Sequence, residues 1–283
     1  MPVSLKTYAK DRVQRYRERL SRPLRIARAY KEYATRRSLS ADLGGSDCYD
    51  VATLTERGYL RIQPAQDLLS QLVSEGQCTL AATQSLPQYR NKAFFSQLLS
   101  GKDLDLSSVF LRFALDEKML RTTARYFGVA PFLESVDLLY SKPVGGPPAA
   151  SQQWHKDRTD RRIIKVFVYI TEVTPRNGPL SLLPRAESSR VPEYLYHYVS
   201  DATMAKHVPL GRTVALTGPA GTTIMIDSET CYHLGSRCEE PRLAYIAYYT
   251  SGFGYRHRET HWNVTPEEAS RLSPLQRYAL GAR

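Results

Sequence analysis

The chain has 283 residues, 42% of them hydrophobic, enough to bury one substantial core. Its formal net charge is +11, and residues 1–40 hold 12 basic and 3 acidic side chains, so most of the excess is N-terminal and the remainder is close to neutral. The absence of a long apolar run, of a secretory h-region and of any Cys-x-x-Cys pair among Cys48, Cys78, Cys231 and Cys238 argues against a membrane-spanning helix and a disulfide-stapled secreted fold, and points to a reducing cytoplasm.

In the basic stretch Leu5, Ala9, Val13, Tyr16, Leu20, Leu24, Ala27, Tyr30 and Ala34 recur at intervals of three and four, the period of an amphipathic helix. Pro23 divides it, with Ser21 as the cap of the second segment. Residues 1–45 thus form a helical extension with three uses in view: docking on the main domain, peripheral contact with an anionic membrane surface, or an acidic partner. Neither a zinc finger nor an RNA-binding signature is present, so specific nucleic-acid binding is not expected.

Beyond a Gly44-Gly45-Ser46 linker, residues 46–283 read as one domain. Residues 57–62 form a short strand. Helices are expected over 64–75, 87–99 and 116–127, with Gly76, Gly101 and Gly128 as stop signals. Strands dominate from Phe132, with a β core over about 131–255. Pro143 to Pro148 is a stiff loop placed to rim a pocket, and the segment from Ser188 to His207, rich in tyrosine, is placed to cap it. Residues 265–281 read as short helices packing back on the body.

The chemistry concentrates at Gln153-Trp154-His155-Lys156-Asp157. Successive side chains alternate along an extended strand, so His155 and Asp157 point to one side and Trp154 to the other. Just after them comes the buried-strand pattern Ile163 to Ile170. Much later, Gly221 to Asp227 forms a strand entered through a turn at 218–221, followed by His233, and Arg242 opens a third strand. Two histidines and a carboxylate make the ligand set of a non-haem iron(II) centre with open positions for co-substrate and O2. The guanidinium of Arg242 suits a dicarboxylic acid held at two points. Tyr140, Lys142 and Tyr169 are candidate pocket residues. His257 and His261 have the i, i+4 spacing of a helical metal pair, but Gly252, Gly254 and the charges around them read as a loop.

Trp154-His155-Lys156-Asp157, Lys165 to Val173, Asn177-Gly178-Pro179-Leu180, Leu183-Pro184, Gly221 to Asp227, His233-Leu234-Gly235 and Arg242 together resemble the phytanoyl-CoA dioxygenase family of iron(II)/2-oxoglutarate oxygenases, over roughly residues 135–255. The resemblance implies a mainly β fold with flanking helices, built on a double-stranded β-helix, the cupin-like jelly roll. It also implies Fe(II) on His155, Asp157 and His233, 2-oxoglutarate on Arg242, and O2 as oxidant, with succinate and CO2 released. Two positions depart from the family: Gly235 stands where a serine is common, and Arg242 lies slightly closer to the histidine than usual. Asp157 argues for hydroxylation or a related oxidation over halogenation, in which a small residue replaces the carboxylate.

The expected function is hydroxylation of an unactivated C–H bond in a small-molecule, lipid-linked or sugar-containing biosynthetic substrate. The alternatives are a cupin-type metal enzyme that does not use 2-oxoglutarate and a non-catalytic protein that associates with an anionic surface through its basic N-terminus.

Overall fold

The structure, a computed structural model, describes residues 23–41, 47–89, 92–99, 104–192, 198–254 and 262–281, together with positions 13, 20, 21, 43 and 101. In chain order the strands are β1 (Tyr59–Ile62), β2 (Gln88–Tyr89), β3 (Lys92–Gln97), β4 (Phe132–Ser141), β5 (Ile163–Tyr169), β6 (Leu180–Leu182), β7 (Val214–Leu216), β8 (Thr223–Asp227), β9 (His233–Leu234) and β10 (Arg242–Thr250). They form a seven-stranded sheet in the order β1-β8-β5-β10-β4-β3-β2, facing a three-stranded sheet β7-β6-β9. All described pairings are antiparallel. Two such sheets laid face to face, with strands crossing from one to the other, make the double-stranded β-helix.

Alternation along the long strands sorts side chains between two cores. On β10, Leu243, Tyr245, Ala247 and Tyr249 join Val166 and Val168 of β5 and Leu133, Val136 and Leu138 of β4 in a core shared with the flanking helices. The opposite face turns inward. Phe167, Tyr169, Ile224, Ile226 and Ala244 pack there against Leu180, Leu182 and Leu216 of the small sheet. A third cluster, with Trp154, Leu183, Val199, Met204 and Leu234, covers the outside of the small sheet.

The local signals explain most helix ends. Asp116 Oδ1 accepts from Met119 N at 2.9 Å to start Glu117–Phe127, and Gly128 ends it in the left-handed region at φ +70°. In the tail, Thr265 with Glu268 and Ser273 with Gln276 form capping boxes for Pro266–Ser270 and Pro274–Leu280.

Two expectations are corrected. Residues 87–99 hold not a helix but the β2–β3 edge, in which Phe95, Ser96 and Gln97 pair with Ser141, Tyr140 and Leu139 of β4. Pairing with an open sheet edge outweighs local propensity there, and with β1 it extends the β core outside 131–255. Nor does Gly76 stop its helix, which runs from Gln66 to Ala82. A Cβ at residue 76 would lie 2.8 Å from Ile170 Cγ2, so the glycine permits close approach of helix to sheet instead of ending the helix.

Of the N-terminal extension, residues 23–28 and Tyr30–Ala41 are helical, while residues 1–12 and 14–19 lie outside the described residues, as do 44–46. Arg36, 2% exposed, docks this helix on the body. Its Nε and Nη2 donate to Ala130 O, and its guanidinium lies 5.2 Å from the Phe253 ring centre. Ser40 Oγ adds a bond to Ala124 O at 2.8 Å. Among the described residues no helix is long and apolar enough to cross a membrane.

Candidate metal centre

His155 and His233 are joined before any ligand is considered. The two residues form an isolated antiparallel bridge in which His155 N donates to His233 O at 3.0 Å and His233 N to His155 O at 2.9 Å. Their rings stand 4.2 Å apart. Two residues on, Asp157 N donates to Ser228 O at 2.8 Å, which keeps this segment extended and returns the carboxylate to the same face as His155. One ligand atom from each of the three residues lies within 4.8 Å of the others.

Each imidazole is oriented by a carbonyl two residues back. His155 Nδ1 donates to Gln153 O at 2.9 Å, and His233 Nδ1 to Cys231 O at 3.0 Å. Because a carbonyl can only accept, each Nδ1 carries the proton and each Nε2 keeps its lone pair for a metal.

The protonation states suit a cation. Burial, with His233 nearby, pushes His155 down to about 3, and burial likewise lowers His233. Burial alone would raise the Asp157 carboxyl, but Lys165 and then the two histidines hold it well below the usual carboxylate range. Two neutral imidazoles and one carboxylate are therefore present at neutral pH, a donor set that fits Fe(II).

Asp227 organises this site from behind. Its Oδ1 accepts from Glu229 N and Thr230 N, both at 3.1 Å, an Asx-type turn that shapes the loop supplying Ser228 O and Cys231 O. Its Oδ2 receives Arg185 Nη2 at 3.0 Å and the hydroxyl of Tyr126.

Arg242 begins β10 on the inward face, 5% exposed. Nη1 donates to Gly178 O at 2.6 Å and Nη2 to Ser236 Oγ at 2.7 Å. Its Nε has no hydrogen-bond partner among the described residues. A buried guanidinium with an orphaned donor fits a carboxylate ligand. Ser236 Oγ also lies 3.1 Å from Ser141 Oγ, and Gln152 Nε2 donates to Ser236 O.

The triad and Arg242 share one cavity of about 330 Å³. Arg242, Ser236, Ser141, Ser151 and Lys92 contribute to its polar lining, as do Glu134, Ser135, Asp137, Thr159 and Tyr248, with Phe95, Leu139, Phe167 and Ile246 as apolar wall. Tyr198 also lines the cavity, its ring 5.4 Å from that of His155, while residues 193–197 of the expected cap lie outside the described residues.

Tyr140, Lys142 and Tyr169 are not among the residues lining this cavity. On β4 it is Glu134, Ser135, Asp137, Leu139 and Ser141 that line the cavity, and Tyr140 packs toward the helices. Tyr169 does point between the sheets, but lies deeper. Its hydroxyl donates to Leu216 O at 2.5 Å and accepts from Leu180 N, beneath Arg242. The Pro143 to Pro148 loop also stands away from the lining. Trp154 packs outward, with Nε1 donating to Asp201 Oδ1 at 2.8 Å. His197, His257 and His261 lie outside the described residues.

Lys165, Ser236 and Asp227 were not singled out from sequence. Ser236 stands three residues after His233, next to Gly235. Its backbone has a positive φ of 61°, and its Oγ accepts from Arg242 Nη2.

No family model and no curated protein matches the chain. Solved structures do match its fold. The epimerase SnoN, in complex with Fe3+, alpha ketoglutarate and nogalamycin RO, is 17% identical, with 71% of this chain and 82% of that one covered and a TM-score of 0.52. EctD from S. alaskensis, with 2-oxoglutarate and 5-hydroxyectoine, is 22% identical over 82% of each chain, with a TM-score of 0.52. AviO1 from Streptomyces viridochromogenes Tue57 is 16% identical, with 73% of this chain and 95% of that one covered and a TM-score of 0.50. The architecture is thus one shared with enzymes crystallised with iron and 2-oxoglutarate.

Proposed function

We propose that the chain is an Fe(II)- and 2-oxoglutarate-dependent dioxygenase, of the phytanoyl-CoA dioxygenase type, that hydroxylates an unactivated C–H bond of a small biosynthetic substrate. The observation that carries this reading is the meeting of His155, Asp157 and His233 within 4.8 Å, in the same cavity as the buried guanidinium of Arg242. SnoN and EctD, solved with the same co-substrate on the same fold, support it.

His155, Asp157 and His233 hold the metal, and Arg242 with Ser236 takes the distal carboxylate of 2-oxoglutarate. When bound, iron with 2-oxoglutarate and O2 supplies an oxidant able to attack a C–H bond, with release of succinate and CO2. The chain supplies position and electrostatics. Carbonyls of residues 153 and 231 aim the imidazoles, Tyr198 stands beside His155, and the apolar wall limits water near the reacting carbon. A cavity of this size takes a small molecule or the end of a larger lipid- or sugar-linked one. Its mixed lining favours a substrate carrying polar groups.

The test is succinate formation from 2-oxoglutarate under aerobic conditions with Fe(II), against panels of carbohydrate, acyl-thioester, amino-acid and nucleotide compounds. Substrate-stimulated succinate that disappears in His233→Ala supports the reading. Succinate equal in both proteins counts against it.

A further inference from the structure

We propose that Lys165 is a positioning residue that restricts Asp157 to one-oxygen coordination of the metal, keeping a coordination position available to 2-oxoglutarate. The inference rests on the iron/2-oxoglutarate reading above.

Lys165 sits in the interior of the large sheet, on β5, opposite Ile226 of β8 and Tyr248 of β10. The residues that follow it on the inward face, Phe167 and Tyr169, belong to the apolar core between the sheets. An ammonium at such a place is costly to desolvate and is retained only with a partner. Here the partner is a metal ligand. Lys165 Nζ lies 2.7 Å from Asp157 Oδ2, with both side chains 20% exposed. The ammonium also sits 5.0 Å from the centre of the Tyr248 ring, which confines it from another side.

The same oxygen lies 3.8 Å from His233 Nε2. The close ion pair at that oxygen draws it toward the ammonium and opposes rotation of the carboxylate plane. A carboxylate that can turn freely closes on a cation with both oxygens, whereas one pinned at an edge presents a single atom. Two histidines and a one-oxygen carboxylate leave three positions on a six-coordinate ion, and a second oxygen would take one of them. Lys165 therefore trades some affinity for the metal against room for the co-substrate.

That trade gives opposite effects in two binding measurements. Co(II) binding to the metal-free protein is titrated without turnover, followed by titration of 2-oxoglutarate into the Co(II)-loaded protein under nitrogen. In Lys165→Met, Co(II) affinity is expected to rise and 2-oxoglutarate affinity to fall, each about tenfold, with a change in the visible Co(II) spectrum reporting the extra oxygen. Lys165→Arg, which keeps the charge and the donors, should hold both affinities near wild type. If Lys165→Met does not fold, Lys165→Gln is read in the same way. Affinities and spectrum unchanged from wild type, or both affinities falling together as a general disturbance would produce, overturn the role of Lys165. A wild-type protein that binds no Co(II) at the triad overturns the functional reading as well, so the two failures are told apart.

Discussion

The main chains of His155 and His233 hold each other through two hydrogen bonds, at 3.0 and 2.9 Å, so the spacing of the two imidazoles is set by backbone pairing and does not depend on a metal. Truncating either ring should remove a ligand without disturbing that pairing. His155→Ala and His233→Ala are expected to lose divalent-metal binding while their metal-free melting temperatures stay within a few degrees of wild type. Asp157→Ala should lose metal binding and also destabilise the metal-free protein, by about 1–2 kcal/mol, because Lys165 is left without its carboxylate. Thermal melts in chelator, paired with Co(II) titrations, check both halves.

Arg242 and Ser236 should separate co-substrate binding from metal binding. Arg242→Ala removes the buried guanidinium and should weaken 2-oxoglutarate binding by about a hundredfold, a loss of roughly 3 kcal/mol. Ser236→Ala deletes one neutral partner of Arg242 Nη2 and should cost about tenfold or less. Co(II) affinity should stay near wild type in both. An Arg242→Ala protein that turns over with unchanged 2-oxoglutarate affinity would favour a metal enzyme that uses no such co-substrate.

Glu229 gives the loop before His233 a pH signature. Burial, and then the neighbouring Asp227 carboxylate, push Glu229 up to about 7, with Lys156 and Arg158 opposing. A folded-state value above the unfolded one means that its contribution is fully present below about 4.5 and is lost as pH rises through about 7. Glu229→Gln cannot ionise, so between pH 5 and pH 8 it should gain stability relative to wild type, on the order of 2 kcal/mol. Melts of the two proteins across this range read the difference directly, and His155, common to both, cancels.

Gly76 tests the approach of the helix Gln66–Ala82 to the sheet. Helix propensity alone favours Gly76→Ala by about 1 kcal/mol. The new methyl, 2.8 Å from buried Ile170 Cγ2, should reverse the sign and destabilise by about 1–2 kcal/mol. Chemical denaturation with an unchanged m-value is the measurement.

What could be read from sequence followed from how local the signal was. His155 and Asp157 fall two apart in an extended segment, and His233 and Arg242 flank strands with strong β-branched patterns, so the convergence of these four residues and the jelly roll were both legible. The Lys165–Asp157 pair joins two segments whose relative placement depends on sheet packing, and no spacing rule predicts it. Ser236 needed a left-handed backbone that its residue type does not announce. Residues 87–99 have helical composition, and pairing with the edge of β4 makes Lys92–Gln97 a strand. On β4 the inward face falls to Leu139 and Ser141, and the sequence alone did not show that Tyr140 packs away from the cavity.

The proposed function requires that His155, Asp157 and His233 bind one ferrous ion beside a 2-oxoglutarate held by Arg242. Anaerobic addition of Fe(II) to the protein with 2-oxoglutarate, followed by visible absorption, tests it most directly, since a 2-oxo acid chelated to Fe(II) absorbs where neither component does alone. A band that saturates at one equivalent of Fe(II) and is absent in His233→Ala is expected. A wild-type protein that develops no such band, or a His233→Ala protein that develops the same one, would contradict it.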